Sequence, residues 1–255
     1  MTSLPAVAPK KKLGLVIDLD VCVGCHACVV SCKEWNTGGY GNALSDQHPY
    51  GADVSGAFLN RVHTFEVVPE GGEIVGEKGE ARIVHFPKSC LHCDDAPCVT
   101  VCPTGASYKR TEDGIVLVDE TMCIGCGLCA WACPYGAREM DLAAGVMKKC
   151  TLCVDRIYNE TIDEIDRIPS CVRTCPANAR HYGDLSDPSS DVSLLVAARG
   201  GIDLMPEQGT RPVNKYLPPR PRTTLASSAG QLPLAENTEG AKGFFAWLDG
   251  ALERI

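Results

Sequence analysis

Sixteen cysteines gathered in four groups limit what this 255-residue chain can become more than any other feature. The groups are Cys22, Cys25, Cys28, Cys32; Cys90, Cys93, Cys98, Cys102; Cys123, Cys126, Cys129, Cys133; and Cys150, Cys153, Cys171, Cys175. Disulfides need particular Cα separations and usually join distant segments, whereas thiols two residues apart converge on one metal centre. The first and third groups read Cys-x-x-Cys-x-x-Cys-x-x-x-Cys. The second, CLHCDDAPCVTVCP, widens one gap to four residues, and the fourth, CTLC followed by CVRTCP, opens that gap to seventeen. Three cysteines on a tight loop can cap three corners of a cubane iron-sulfur cluster, but the fourth corner points away and must be met by a thiol from elsewhere. In the bacterial ferredoxin arrangement the last cysteine of each run serves the neighbouring cluster and a proline opens the next segment. Pro103, Pro134 and Pro176 stand in that place. Two runs therefore lock together, and four runs make two pairs.

Other uses of the thiols fit less well. CVGCH at 22 to 26 matches the signal for covalent haem attachment, but haem has no use for Cys28 and Cys32, and no other group carries a following histidine. Structural zinc normally separates two Cys-x-x-Cys pairs by a longer loop. His26 then reads as a loop residue able to donate to a cluster sulfur. All sixteen positions are cysteine, so no iron is left open for substrate chemistry and the clusters transfer single electrons. Lys33, Lys88, Lys109, Lys148 and Lys149 recur near the groups. They read as solvated, with a minority able to raise a cluster potential by offsetting its charge.

A formal net charge of −8 argues against nucleic acid as a partner. The start, MTSLPAVAPKKKLG, has no apolar h-region after its lysines, and no run approaches the roughly 18 to 20 apolar residues of a membrane span. A soluble or peripheral protein is expected. No Gly-rich phosphate loop, Ser-His-Asp set or paired carboxylates stand out, so the expectation is an electron carrier without catalytic residues. A free polyferredoxin serving soluble enzymes is the alternative within that class.

Hydrophobic residues make up 45% of the chain but aromatics only 6%, enough for a modest core. LGLVIDLDV at 13 to 21 reads as a strand entering the first group. After Cys32 runs a Gly-rich insertion with five glycines from Gly38 to Gly56. FLNRVHTFEVV and ARIVHF form a hairpin around a turn-rich stretch; YKRTEDGIVLVDE turns at Asp113 and Gly114, and REMDLAAGVMKK at Gly145. The expected class is α+β: two ferredoxin-like dicluster modules, the second nested inside the first, with short helices, β-hairpins and a long extended C-terminal tail. Nesting follows from the preference for short connections. The second and third groups lie 20 residues apart, whereas pairing the first with the second would need an excursion of 57 residues.

The boundaries follow. Residues 1–12 are a flexible N-terminus, and 13–84 hold the first half of the outer module with the insertion and hairpin. Residues 85–140 form the inner module, 141–200 the second half of the outer module with a helix, and 201–255 a Pro-rich tail for a partner. Asp187 with Pro188 marks the start of that helix and Gly200 its stop. NKYLPPRPRTTL is too poor in apolar periodicity to fold on itself, so an extended strap against a partner is expected. GFFAWLDGALERI places Phe244, Leu248 and Leu252 on one stripe of a terminal amphipathic helix.

The four groups in this order, CKEWN after the first, PSCVRTCP at the fourth and the RPVNKYLPPRP tail together resemble the iron-sulfur B subunit of the dimethyl sulfoxide reductase family of molybdoenzymes. The match covers residues 13 to 222. It implies four [4Fe-4S] clusters with crossed ligands. Cluster one would take Cys22, Cys25, Cys28 and Cys175; cluster two Cys90, Cys93, Cys98 and Cys133; cluster three Cys123, Cys126, Cys129 and Cys102; cluster four Cys150, Cys153, Cys171 and Cys32. The resemblance also implies two partners, a molybdopterin (bis-MGD) catalytic subunit and an integral membrane subunit that binds quinone. Within the family, the Gly-rich insertion and LMPEQGTRPVNKYLPPRPR are most similar to the branch that oxidises sulfite and delivers electrons to quinone. Reductases of dimethyl sulfoxide, polysulfide, thiosulfate or tetrathionate are the other branches. The implied location is peripheral on the inner membrane at its cytoplasmic face, or at the periplasmic face by co-export with the catalytic subunit.

Overall fold

Every residue of strand β1 (Leu13–Asp18) after the first is buried, which places this β-branched, apolar run at the centre of a sheet. A computed structural model describes residues 4–37, 57–67 and 82–220. In chain order β1 is followed by α1 (Ala27–Thr37), β2 (Asn60–Val67), β3 (Arg82–Ser89), α2 (Pro97–Thr100), β4 (Ser107–Lys109), β5 (Val116–Val118), α3 (Leu128–Trp131), β6 (Glu139–Asp141) and β7 (Val146–Lys148). Then come α4 (Val154–Ile157), α5 (Ser170–Arg173), β8 (Arg180–Asp184), α6 (Asp191–Arg199) and β9 (Lys215–Leu217). Strand β1 lies between β8, antiparallel, and β9, parallel. The other strands form three two-stranded antiparallel ladders, β2 with β3, β4 with β5 and β6 with β7.

Helices of four residues cannot stand alone, because nucleation costs more than one hydrogen-bonded turn returns. These turns are held by packing: α1 lies against α5 and α2 against α3. Ser170 on α5 donates to the Ser31 carbonyl on α1 at 3.0 Å. The first cysteine group is thus beside the fourth, and the second beside the third. Three-residue ladders are equally marginal alone. Their turns are fixed by carboxylates, with Asp113 accepting from the Ile115 amide at 3.1 Å and Asp141 accepting from those of Ala143 and Ala144, both at 3.1 Å.

Two expectations change. The last long helix begins at Asp191, not at Asp187. Ser190 supplies the cap, accepting from the Ser193 amide at 3.3 Å, while Asp187 closes a preceding turn onto Ser189. Gly200, at φ +62°, ends the helix as expected. At the start of NKYLPPRPRTTL, read as unable to fold on itself and as a strap for a partner, Lys215–Leu217 form β9 and pair with the chain's own β1, and Tyr216 and Leu217 are fully buried. Three residues are too short a run to show a period. Tyr216 stacks on Phe86 at 4.6 Å between ring centroids and donates to the Pro87 carbonyl at 3.0 Å, tying β9 to β3. The terminal stripe at Phe244, Leu248 and Leu252, the glycines from 38 to 56 and the turn between β2 and β3 lie outside the described residues.

Removing the Tyr216 ring empties a site at the meeting of β1, β3 and β9. Tyr216→Ala is expected to cost about 3–5 kcal/mol and Tyr216→Phe, which loses one hydrogen bond, about 1 kcal/mol. Anaerobic denaturant titration followed by circular dichroism ranks the two; equal costs would contradict the packing role.

Candidate iron-sulfur centres

Each cysteine group opens with the same backbone device. The residue just before the second cysteine is left-handed in all four: Gly24 (φ 66°), His92 (50°), Gly125 (67°) and Leu152 (55°). This sharp bend turns two thiols toward one point. Glycine is required twice, since a Cβ on Gly24 would fall 2.3 Å from the His85 ring and one on Gly125 2.5 Å from the Gly145 carbonyl oxygen. His92 and Leu152 adopt the bend with a side chain, at roughly 1–2 kcal/mol each.

The third cysteine of each group then sits in a helix, Cys28 in α1, Cys98 in α2, Cys129 in α3 and Cys171 in α5. The fourth, Cys32, Cys102, Cys133 or Cys175, follows four residues later. Cys32 continues in the same helix as Cys28, whereas Cys102, Cys133 and Cys175 stand two residues past the ends of α2, α3 and α5, so about one turn of chain separates the two thiols of each pair. The two sulfurs accordingly reach different cavities.

Four cavities collect the sixteen thiols. Cavity one is lined by Cys22, Cys25, Cys28 and Cys175; cavity two by Cys90, Cys93, Cys98 and Cys133; cavity three by Cys102, Cys123, Cys126 and Cys129; cavity four by Cys32, Cys150, Cys153 and Cys171. In each, three thiols come from one group and one from its neighbour. The cavities also have an order. Cys171 of cavity four feels Cys28 of cavity one, Cys150 of cavity four feels Cys90 of cavity two, and Cys129 of cavity three feels Cys98 of cavity two. The sequence in space is one, four, two, three. Cys25 and Cys126 are the two exposed cysteines, and they belong to the two ends; all four thiols of cavity four are buried.

All sixteen thiols are free, so no disulfide competes for them. Burial, reinforced by neighbouring thiols, pushes Cys93 and Cys150 up to about 12 and Cys32 well above the ordinary range; Cys171 is raised by burial to about 11 although Arg180 opposes it. Grouped thiolates at such depth require a cation among them. Backbone amides supply part of the compensation: Ser107 donates to Cys102 Sγ at 3.3 Å, Met147 to Cys123 at 3.4 Å, Leu152 to Cys150 at 3.4 Å and Ala179 to Cys175 at 3.3 Å. Asn36 Nδ2 lies 3.6 Å from the sulfurs of both Cys32 and Cys153. At Cys102 burial would raise the thiol, but the hydrogen bonds from Ser107 and Thr104 bring it below the usual value.

Among the described residues no group of three or more His, Cys, Asp or Glu side chains closes tightly enough to hold one metal ion. Zinc would draw four sulfurs to about 2.3 Å. The thiols here surround about 290–340 Å³ of atom-free space, part of it open to solvent. That donor set, with N–H groups aimed at sulfur, fits a polynuclear iron-sulfide centre.

Several residues escaped the sequence reading or departed from it. Lys109 and Lys149, expected in solvent, are buried. Lys109 Nζ donates to the Cys93 carbonyl at 2.8 Å and pairs with Asp94, and Lys149 Nζ donates to the carbonyls of Val116 and Cys150, which satisfies both ammonium groups internally. His92 is wholly buried and its basicity is suppressed, by burial first and then by Lys149, Lys109 and Arg138. His26 lines cavity one, and its carbonyl receives the amides of Val29 and Val30. Arg138 lines both cavities two and three, and Arg180 both one and four. The repeated text CPYGAR and CPANAR was the available signal for them.

Fold and thiol arrangement together define a ferredoxin-like iron-sulfur protein. Two family models, each described as a 4Fe-4S dicluster domain, match residues 21–106 and 81–185. Over 226 residues the chain is 60% identical to the B subunit of sulfite dehydrogenase from Allochromatium vinosum, covering 89% of this chain and 90% of that one. It is 38% identical to the B subunit of tetrathionate reductase from Salmonella typhimurium, covering 82% and 74%, and 38% identical to the iron-sulfur B subunit of a putative dimethyl sulfoxide reductase from Halobacterium salinarum, covering 80% and 78%. The chain belongs to the family of iron-sulfur B subunits of the dimethyl sulfoxide reductase type, [4Fe-4S] electron-transfer components of multi-subunit oxidoreductases.

The shared cavities make a specific prediction. Cys133→Ser should damage the centre formed by Cys90, Cys93 and Cys98 and spare the centre of Cys123, Cys126 and Cys129. Paramagnetic resonance of the variant shows which signal is lost; loss of the latter centre instead would overturn the crossed arrangement.

Proposed function

We propose that the chain carries four [4Fe-4S] clusters, one per cavity, and conducts electrons between a molybdopterin (bis-MGD) catalytic subunit and a quinone-binding membrane subunit, in the direction of sulfite oxidation. In this reading the ligands are the four thiols that line each cavity, in two nested ferredoxin-like modules. The observation that carries it is the row one, four, two, three, with exposed Cys25 at one end, exposed Cys126 at the other and, in the two middle cavities, seven buried thiols and the half-buried Cys133. When bound, each cluster accepts and releases one electron without making or breaking bonds to substrate.

The chain's own residues do the rest. Buried Leu91, Leu152 and Val116 line the inner cavities and keep water from them. Fixed amide donors hold the sulfurs in place, so little has to reorganise when charge arrives. Exposed Val23 lines cavity one and exposed Ile124 lines cavity three, where Met122 and Leu128, next in sequence to Cys123 and Cys129, and Trp131 of α3 are exposed as well, Trp131 to 91%. The apolar group at the cavity-three end suits the docking of a partner there.

Identity to the Allochromatium protein favours sulfite as the electron source, while the tetrathionate and dimethyl sulfoxide relatives make a reductase complex the second reading. Among the described residues no helix is long and apolar enough to cross a membrane. We assign the protein to the cytoplasmic face of the inner membrane, held there by its partner, with the periplasmic face by co-export as the alternative.

The complex purified anaerobically should contain about sixteen irons and sixteen labile sulfides per copy of this chain by cubane stoichiometry. Its paramagnetic signals should appear on adding sulfite. Zinc in place of iron would end the conductor reading; full clusters that stay oxidised with sulfite would end the substrate assignment alone.

A further inference from the structure

Arg138 and Arg180 occupy equivalent places in the chain, each five residues after the last cysteine of its group and each preceded by alanine, in CPYGAR (133–138) and CPANAR (175–180). The folded protein keeps that equivalence. Arg180 is 1% exposed and lines cavities one and four; Arg138 is 6% exposed and lines cavities two and three. Each guanidinium thus stands between the two cavities of one interlocked pair.

Neither cation is neutralised by a carboxylate among the described residues. Arg180 Nη2 donates to the amide oxygen of Asn60 at 2.7 Å, and Arg138 Nη2 to the hydroxyl of Ser107 at 2.6 Å, both uncharged acceptors. Arg180 Nη1 points at Cys171 Sγ, 3.6 Å away. Arg180 Nε and Arg138 Nη1 are buried with no acceptor in hydrogen-bonding geometry. Burial disfavours the charge of both. It is held mainly by sulfur: Cys171, Cys28 and Cys32, with Tyr216, for Arg180, and Cys98, Cys129 and Cys90 for Arg138. Both sets draw on two cavities. A buried, unpaired cation is costly unless a compensating negative charge lies beside it. A four-thiolate iron-sulfide cube supplies such a charge, and on reduction supplies more.

We propose that Arg138 and Arg180 are paired tuning residues, each sharing one fixed positive charge between the two clusters of its module and raising the potentials of both together. The idea rests on the cluster assignment above. A cation stabilises the reduced, more negative cluster over the oxidised one, and in a buried site this acts on both neighbours with little screening. Arginine suits the task because its charge persists when desolvated and its planar fork can face two sites at once.

The test is redox titration of the full complex, followed by paramagnetic resonance, with iron and sulfide measured alongside. In Arg180→Gln the signals of clusters one and four should both move to lower potential by 59 mV or more, a tenfold change in the ratio of oxidised to reduced for a one-electron couple. Clusters two and three should stay in place, and Arg180→Lys should restore most of the shift. Arg138→Gln should reverse the pattern, moving two and three. Unchanged potentials with full iron, movement of one cluster only, or a lysine variant as low as the glutamine variant would overturn the proposal and reduce both arginines to packing. If Arg180→Gln loses iron, Asn60→Asp decides: an anion against the guanidinium should lower clusters one and four, and no movement refutes the idea. Far fewer than sixteen irons in the unsubstituted protein would instead defeat the cluster assignment.

Discussion

A four-residue step of the chain from one cavity to the next is the constraint on which the rest of this molecule depends. The third and fourth cysteines of each group, four residues apart, line different cavities, so Cys28 and Cys32, Cys98 and Cys102, Cys129 and Cys133, and Cys171 and Cys175 each straddle a pair of sites. A cavity completed this way cannot be assembled by its own group. The packing of α1 on α5 and of α2 on α3 is the tertiary expression of that requirement. It also explains why elements of three or four residues persist where isolated ones would melt.

The core is built around these sites. Leucine, valine and isoleucine side chains pack in one cluster with Cys28, Cys93, Cys98, Cys129 and Cys171, so the thiols are part of the interior and not an addition to its surface. A chain with few aromatics still reaches a closed interior, because the space between its layers is assigned to a cofactor. With clusters bound as proposed, folding and cofactor binding would be coupled, as for other sites whose ligands come together only in the native state. Grouped buried thiols resist ionisation, which disfavours any state with the thiolates assembled and no cation present.

The electrostatics are arranged in the same order as the cavities. Arg180 stands between one and four, Lys149 near thiols of four and two, and Arg138 between two and three. The two arginines keep N–H groups with no protein oxygen to meet, whereas the Lys149 ammonium is engaged by the carbonyls of Val116 and Cys150. The difference separates cations directed at the cavities from one that braces the backbone between modules.

Much was legible before folding. Thiol spacing alone named the kind of cofactor, and the turns at Asp113 and Gly145 and the helix stop at Gly200 could be read because carboxylates and left-handed glycines act locally. What escaped was non-local. Tyr216 is buried only because Phe86, more than a hundred residues earlier, lies under it, and no periodicity over three residues announces that. Lys109 and Lys149 looked like solvent-facing charges because a sequence does not show which carbonyls will surround an ammonium group. The start of α6 was misplaced by a few residues since Asp187 and Ser190 are both good caps, and the packing of Val192 against β1 and β9 selected the second. The sequence by itself thus determined the chemistry, because ligand type and spacing are covalent properties of the chain. Only the tertiary structure decided the order of the cavities and where the buried cations stand, because those depend on distances between segments that meet only when the chain is folded.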